Sequence, residues 1–131
     1  MRGLDDDALV GVNRLAGGTG TVRHPALLGA VQASVYGRMS GRDLYPGLAD
    51  RAAALTHGIM RVHPFVDANE RTAILAMVYL CRINGYRLVW ASPRDAVALI
   101  RAVNTGQPPV EWISRRIASR LQPLHPPPTN R

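Results

Sequence analysis

The chain contains no lysine. All 16 of its basic side chains are arginine, and against nine carboxylates they give a formal charge of +7. Arginine binds phosphate and carboxylate groups through a planar fork of donors, so a nucleic-acid or acidic partner is one explanation. The other is a GC-rich coding bias that replaces lysine on ordinary solvated surfaces. Because the arginines are scattered and only Arg115 and Arg116 are adjacent, the pattern favours the coding bias, and we do not expect a nucleic-acid partner.

Cysteine occurs once, at Cys81, so an internal disulfide bond is excluded. Cys81 lies in the most apolar stretch of the sequence, where a reduced cysteine packs as a small core residue, and we expect a reducing, cytoplasmic environment. No apolar run reaches the roughly 18 residues that cross a bilayer, and the N-terminal residues do not resemble a secretory signal. No membrane segment is therefore predicted.

Aromatic residues make up only 5% of the chain and include two tryptophans, Trp90 and Trp112. Proteins that stack nucleic-acid bases use aromatic side chains as a platform. Neither tryptophan has a second aromatic residue at hand for such a platform. We therefore assign both to core or edge packing.

Apolar residues recur at helical spacing nearly everywhere, which predicts an all-α fold. We expect a compact single-domain helical bundle over residues 1–122, followed by a disordered proline-rich tail over residues 123–131. Residues 37–47 carry three glycines and a proline, which predicts an exposed loop or a short hairpin. The predicted helices cover residues 4–15, 25–35, 48–62, 69–84, 93–103 and 110–121. The first buries Leu4, Ala8, Val12 and Leu15, and the last buries Val110, Ile113, Ile117 and Leu121.

One segment concentrates reactive side chains: His63-Pro64-Phe65-Val66-Asp67-Ala68-Asn69-Glu70-Arg71-Thr72-Ala73. It holds a histidine, a carboxylate, a carboxamide and an arginine, which can act as base, metal ligand, anion donor and charge clamp at a phosphate-transfer site. The segment lies between two strongly apolar stretches. We therefore expect a rigidly held active-site loop.

A helix that begins near Asn69 would direct its free backbone N–H groups at one spot, which is a common phosphate site. Ala68 is small enough for a ligand to approach the backbone, Asn69 can donate through its carboxamide, and Arg71 can bind phosphate oxygens. Asp67 supplies the hard oxygen that Mg²⁺ prefers, and His63 can take a proton from an attacking hydroxyl. Asp67 and Asn69 could equally be helix caps.

This run resembles the signature of Fic-domain proteins, His-Pro-Phe-x-(Asp/Glu)-Gly-Asn-Gly-Arg. It is more similar to the Doc branch, the toxins of a phage toxin–antitoxin pair, which carry Ala-Asn-Lys-Arg-Thr-Ala where residues 68–73 read Ala-Asn-Glu-Arg-Thr-Ala. The strong part of the resemblance covers residues 48–90. It implies a Fic/Doc-type helical bundle.

The resemblance also implies an enzyme that moves part of ATP, with Mg²⁺, onto a hydroxyl group of a bacterial protein. Most Fic proteins transfer AMP, whereas Doc-like proteins transfer the γ-phosphoryl group, the target class being translation elongation factor Tu. By resemblance, His63 is the general base and Asp67 the magnesium ligand. The phosphate or nucleotide site is formed by Ala68, Asn69, Glu70 and Arg71, and the target-docking flap by Arg42, Asp43, Leu44 and Tyr45. No helix shows the family's inhibitory Ser/Thr-x-x-x-Glu pattern, so a separate antitoxin is expected.

Two departures from the family pattern bear on activity. Fic AMP-transferases carry a second arginine where this chain has Ile74, which favours the Doc-like reaction. Glu70 stands where Doc-like sequences have lysine, and a carboxylate about 4 Å from a phosphate opposes binding by roughly 4 kcal/mol at an effective dielectric near 20. Glu70 could turn away, pair with an arginine such as Arg61, or add a metal ligand. The alternative function is a catalytically altered Fic-fold module that acts by protein binding.

Overall fold

A computed structural model describes residues 1–125 of the chain. Within this range it shows six helices and two short antiparallel strand pairs, which confirms the all-α prediction. The helices are α1 Asp6–Leu15, α2 Pro25–Tyr36, α3 Leu48–Val62, α4 Asn69–Ile83, α5 Arg94–Gly106 and α6 Val110–Ala118; the strands are β1 Arg38–Met39, β2 Arg42–Asp43, β3 Tyr86–Leu88 and β4 Leu121–Pro123. Over the same residues, no helix combines the length and the apolarity that a bilayer crossing requires.

Helix α3 lies at the centre of the bundle, with α2, α4 and α6 packed against it. Its small residues allow close approach: a Cβ atom added at Gly58 would lie 2.6 Å from the Ser34 hydroxyl oxygen of α2. Helix α4 contributes a second buried face that includes Met77 and Cys81. Burial raises the pKa of the Cys81 thiol to about 11, which agrees with the prediction that Cys81 is a core residue. Because both α3 and α4 are fixed in the core, the segment between them is held at each end.

The buried face of α1 differs from the predicted one. Leu15 is 69% exposed, and the buried residues of the helix are Leu9, Val12 and Asn13. The helix begins only at Asp6, because the Asp5 side chain accepts a hydrogen bond from the backbone of Ala8 at 2.8 Å and acts as the N-cap. The prediction for Leu15 was therefore wrong, and the face that enters the core carries a polar residue, Asn13.

Strand β4 was not predicted. Helix α6 ends at Ala118, and Leu121 pairs with Leu88 of β3 rather than extending the helix. Pro123 pairs with Tyr86 in the same ladder, so the structure places in a strand the residue at which the predicted tail begins. Residues 126–131 of that predicted tail lie outside the described residues.

Candidate active site

The motif loop, which we define as residues 63–68, begins at a strained backbone position. His63 adopts the left-handed conformation, with φ 49° and ψ 64°, where it ends helix α3. The guanidinium of Arg23 donates from Nε to the His63 carbonyl at 2.6 Å and from Nη2 to the Val62 carbonyl at 3.0 Å. Positive charge at helix C-terminal carbonyls is favourable. The His63 backbone is therefore fixed, while the residue remains exposed to solvent.

Phe65 anchors the middle of the motif loop. Its side chain is buried, and its backbone forms an antiparallel bridge with Val22. On either side of this bridge, the Arg23 N–H donates to the Pro64 carbonyl at 2.8 Å and the Val66 N–H donates to the Thr21 carbonyl at 3.1 Å. The segment before α2 therefore lies alongside the motif loop and holds it in an extended shape.

Asn69, the first residue of α4, closes the motif loop on itself. Its Oδ1 accepts from the Phe65 N–H at 3.0 Å, and its Nδ2 donates to the Phe65 carbonyl at 2.9 Å. These two bonds leave the second N–H of the carboxamide to donate elsewhere. Asn69 thus positions the loop as well as offering one donor at the start of the helix.

Asn13 of α1 is the buried centre of the site. Its Nδ2 donates to the Asp67 carbonyl and to Thr72 Oγ1, both at 3.0 Å, and its Oδ1 accepts from the Gly20 N–H at 2.8 Å. One fully buried carboxamide therefore joins α1, the turn after α1, the motif loop and α4. Sequence reasoning missed Asn13 and Arg23. Asn13 could have been recognised as a polar residue on the apolar side of α1, because a buried carboxamide needs hydrogen-bond partners.

Asp67 presents a carboxylate that does not cap α4. Its Oδ1 accepts from the Thr19 N–H at 3.2 Å, which leaves Oδ2 without a partner among the described residues. Over residues 1–125 no group of three or more histidine, cysteine, aspartate or glutamate side chains is placed to hold a metal ion. Asp67 can therefore offer a single carboxylate oxygen, which suits a cation whose other ligands are water molecules and substrate phosphates.

The N-terminus of α4 is open to an anion. Its N-cap, Ala68, is left-handed with φ 57° and ψ 27°, and no side chain caps the helix. The first-turn N–H groups are thus available to an external acceptor. Arg71 is exposed in the same turn, and a Cβ atom added at Gly17 would lie 3.2 Å from its Nη1. Gly17 itself has φ +94°, so a glycine there both permits the turn after α1 and leaves room for the guanidinium.

The left-handed backbone of Ala68 gives a direct test of the loop's shape. We expect Ala68→Gly to raise the free energy of unfolding by about 0.5–1 kcal/mol, because glycine avoids the left-handed penalty but loses more chain entropy on folding. Ala68→Val should lower it by about 1–2 kcal/mol, since a branched side chain fits this conformation poorly. Urea unfolding measures both. Ala33→Gly, at an exposed helical position of α2, is the control and should destabilise. Equal changes in the free energy of unfolding for Ala33→Gly and Ala68→Gly would contradict the left-handed conformation of Ala68.

Glu70 forms no ion pair within residues 1–125. The residue is exposed, and the ion pairs of the described residues are Arg38–Asp43, Arg51–Asp43 and Arg120–Asp95. The suggested pair with Arg61 is therefore wrong. The remaining alternatives are a carboxylate that turns outward and an added metal ligand.

A cavity of about 340 Å³ opens beside His63, between the C-terminal ends of α3 and α5. Polar side chains line much of it, among them His57, Arg61, Asn104 and Gln107. Burial, and then the charge of Arg61, lower the pKa of His57, which favours the neutral form of its imidazole. The cavity gives a ligand or a substrate side chain access to His63.

Residues 37–47 form a short hairpin rather than a loop. Arg38 pairs with Asp43 and Met39 with Arg42, and the turn between them has positive φ at Ser40 and Gly41. This two-residue turn matches the twist of antiparallel strands. Hairpin residues Leu44 and Met39 are exposed: Leu44 is 45% and Met39 68% accessible.

Arg51 of α3 anchors the hairpin to the bundle. It donates to the Tyr45 carbonyl at 2.7 Å and to Asp43 Oδ2 at 3.2 Å. Its guanidinium also lies 5.3 Å from the ring centroid of Tyr36. The residues predicted to form the docking flap are thus held in a defined place.

A model of the protein family described as "Fic/DOC family" matches residues 8–81, which is more than half of the chain. The chain belongs to the Fic/DOC family. The match runs from α1 nearly to the end of α4, so it contains Asn13 and Arg23 as well as the motif loop and the hairpin. The resemblance seen in the motif is thereby confirmed. Helices α5 and α6 lie outside the matched residues.

The chain is also similar to the protein named Toxin Doc of Mycolicibacterium smegmatis (strain ATCC 700084 / mc(2)155). The two are 40% identical over 83 residues, which is 63% of this chain and 64% of that protein. The chain therefore matches slightly less than two thirds of the length of this Fic/DOC relative.

Proposed function

We propose that this chain is a Doc-like toxin, a transferase that moves a phosphorus-containing group from ATP to a hydroxyl side chain of a bacterial protein. The observation that carries the proposal is the juxtaposition of an exposed His63 and the uncapped N-terminus of α4 at the two ends of one rigid loop. The similarity to Toxin Doc supports a toxin, and a separate antitoxin belongs to the same proposal.

In the proposed reaction, the target hydroxyl enters beside His63 and gives its proton to the imidazole. Its oxygen then forms a bond to phosphorus while the bond to the leaving phosphate group breaks. The free N–H groups of α4 and the guanidinium of Arg71 hold the phosphate oxygens, where negative charge concentrates. Asn69 adds its remaining carboxamide N–H. Transfer of the γ-phosphoryl group, with ADP leaving, is the version that Ile74 favours.

Asp67 is the residue that would hold Mg²⁺ through its free Oδ2. When bound, the cation would neutralise charge on the nucleotide phosphates. The chemistry of the site fits: one carboxylate together with substrate phosphates is a usual way to hold magnesium. The Thr19 N–H fixes the other carboxylate oxygen at 3.2 Å and so orients the side chain.

The hairpin residues Arg42, Asp43, Leu44 and Tyr45 are proposed to dock the target. A segment of the target would add to the hairpin as a further strand, through backbone hydrogen bonds that impose little sequence requirement. The anchoring of Asp43 and Tyr45 by Arg51 supports this role, because a preorganised edge loses less entropy on binding. The target class implied by the family resemblance is translation elongation factor Tu.

The test uses purified protein with Mg²⁺, a bacterial lysate and ATP labelled at either the α- or the γ-phosphate. We expect a protein band that is labelled from γ-labelled ATP alone. Label from the α-position would make the protein an AMP-transferase, which would contradict the inference from Ile74. No label from either donor would overturn the transferase proposal and favour a module that acts by protein binding.

The exposure of Glu70 reduces the effect expected of its charge. In a water-like dielectric, charges about 4 Å apart interact by about 1 kcal/mol, which corresponds to about a fivefold change in affinity. We therefore expect Glu70→Gln to bind ATP about fivefold more tightly than the wild type, measured by calorimetry. Asp7→Asn removes one exposed negative charge from the start of α1 and is the matched control, expected to leave affinity unchanged. Unchanged affinity in Glu70→Gln would show that this carboxylate does not face the phosphates.

A further inference from the structure

A second cavity, of about 300 Å³, lies between α5, α6 and the segment after β3. Both tryptophans of the chain, Trp90 and Trp112, line it, over a floor that includes Ala98 and Ala102. In the sequence the two tryptophans lie 22 residues apart and were predicted to pack separately. The fold brings them to one partly open surface, and both remain incompletely buried.

Two arginines complete the walls of this cavity. Arg116 places its guanidinium carbon 3.3 Å from the ring centroid of Trp112, and its Nη1 donates to the Trp112 carbonyl at 3.1 Å, which leaves the N–H groups of Nε and Nη2 to donate to a ligand. Arg120 lies next to it, 3.9 Å from Asp95 in a loose ion pair. The cavity therefore combines flat aromatic surfaces with donors suited to phosphate.

Positive charge is concentrated around this part of the molecule. Over residues 82–125, the described part of this segment, the chain carries seven arginines against two carboxylates, a net charge of +5. A neighbouring depression on α5 is lined by Arg94 and Arg101, and it shares Ala98 with the tryptophan cavity. The two depressions therefore adjoin at Ala98, with Arg94 and Arg101 in one and Arg116 and Arg120 in the other.

We propose that this surface binds single-stranded nucleic acid, with a base against the tryptophans and the phosphates along Arg94, Arg101, Arg116 and Arg120. Aromatic platforms flanked by basic side chains bind single strands in this way with little sequence preference. A nucleic acid presents a flat base for each phosphate, which matches two tryptophans that share a cavity with Arg116 and Arg120. An acidic peptide supplies the charge but presents aromatic faces only at occasional residues. The site lies outside the family-matched residues 8–81 and is independent of the proposed transfer reaction.

Tryptophan fluorescence tests the proposal directly, because the only two tryptophans both line the cavity and an oligonucleotide bound at the motif loop would not contact them. The probe is an oligouridylate of about ten nucleotides, long enough for one binding site. We expect saturable quenching in the wild type. Raising salt from about 50 to 200 mM should weaken binding about 10- to 20-fold if about three phosphates are contacted.

The variants Arg116→Ala and Arg120→Ala should each shift the quenching midpoint to several-fold higher oligonucleotide concentration. Arg2→Ala is the matched control, since Arg2 is exposed and its backbone binds the Asn84 side chain away from the cavity. Circular dichroism establishes that the variants are folded. Absence of quenching at low salt, or equal midpoints in all three variants, would overturn the proposal. Quenching by a glutamate-rich peptide but not by the oligonucleotide would also overturn the proposal, and it would indicate that the cavity binds an acidic protein.

Discussion

Replacing His63 by alanine is expected to lower the rate of group transfer by two to four orders of magnitude, the usual contribution of a general base. His63 is the side chain that the motif loop presents to solvent beside a cavity. Asp67, the other ionisable side chain of the motif loop, is oriented by the Thr19 N–H through Oδ1 and is proposed to hold Mg²⁺ through Oδ2. The expected results are loss of the labelled protein band and loss of growth inhibition when the variant is expressed without an antitoxin.

Because the backbone of His63 is left-handed, a glycine at this position distinguishes an effect on catalysis from an effect on folding. His63→Gly should be as inactive as His63→Ala, yet at least as stable as the wild type, because glycine adopts φ 49° without a Cβ penalty. His125→Ala removes an exposed histidine that follows β4 and should leave labelling unchanged. Equal labelling of the target by the wild type and His63→Ala would show that His63 is not the general base. Equal growth of cells that express the two proteins would contradict the proposal that the protein is a toxin.

Replacing Asn13 by leucine is expected to lower the free energy of unfolding by about 2–5 kcal/mol. Leucine has a similar size but leaves the Asp67 carbonyl and the Gly20 N–H without their partner, and each such buried group costs about 1–3 kcal/mol. Since domains of this size are stable by only about 5–15 kcal/mol, the variant should unfold at much lower urea concentration. Asn104→Leu, at an exposed position of α5, should change stability by less than about 0.5 kcal/mol.

Asn13→Asp adds a pH-dependent form of the same test. The charged carboxylate would be buried and would face the Asp67 carbonyl, so its pKa in the folded protein should be raised above that of the unfolded chain. A raised folded pKa means that the contribution to stability is present at low pH and is lost as the pH rises through that pKa. Asn13→Asp should therefore approach wild-type stability in acid and fall below it at neutral pH. Urea unfolding at several pH values measures the difference, and parallel curves for the two proteins would contradict the assigned hydrogen bonds.

Much of the fold was accessible from local sequence pattern. The bounds of α3 matched the prediction, and those of α4 matched within one residue. In both helices the apolar period and the stop signals lie within the segment itself, so no distant contact is needed to recognise them. The same holds for the hairpin, whose Ser40 and Gly41 supply the positive φ values of a tight turn. Leu121 was misplaced because periodicity alone does not show where a helix ends, and Leu15 because an apolar spacing does not by itself show which residues enter the core.

By itself, the sequence determined which residues carry reactive groups and that they stand next to one another, because the motif is a single continuous segment. Only the tertiary structure decided what holds them. The side chains of Asn13 and Arg23 reach the motif loop from distant parts of the chain, through hydrogen bonds that span 54 and 40 residues. The meeting of Trp90 and Trp112 at one cavity is likewise a product of helix packing. Local spacing encodes periodicity and turn chemistry, whereas such long-range partners are set by how the buried faces of the helices pack together.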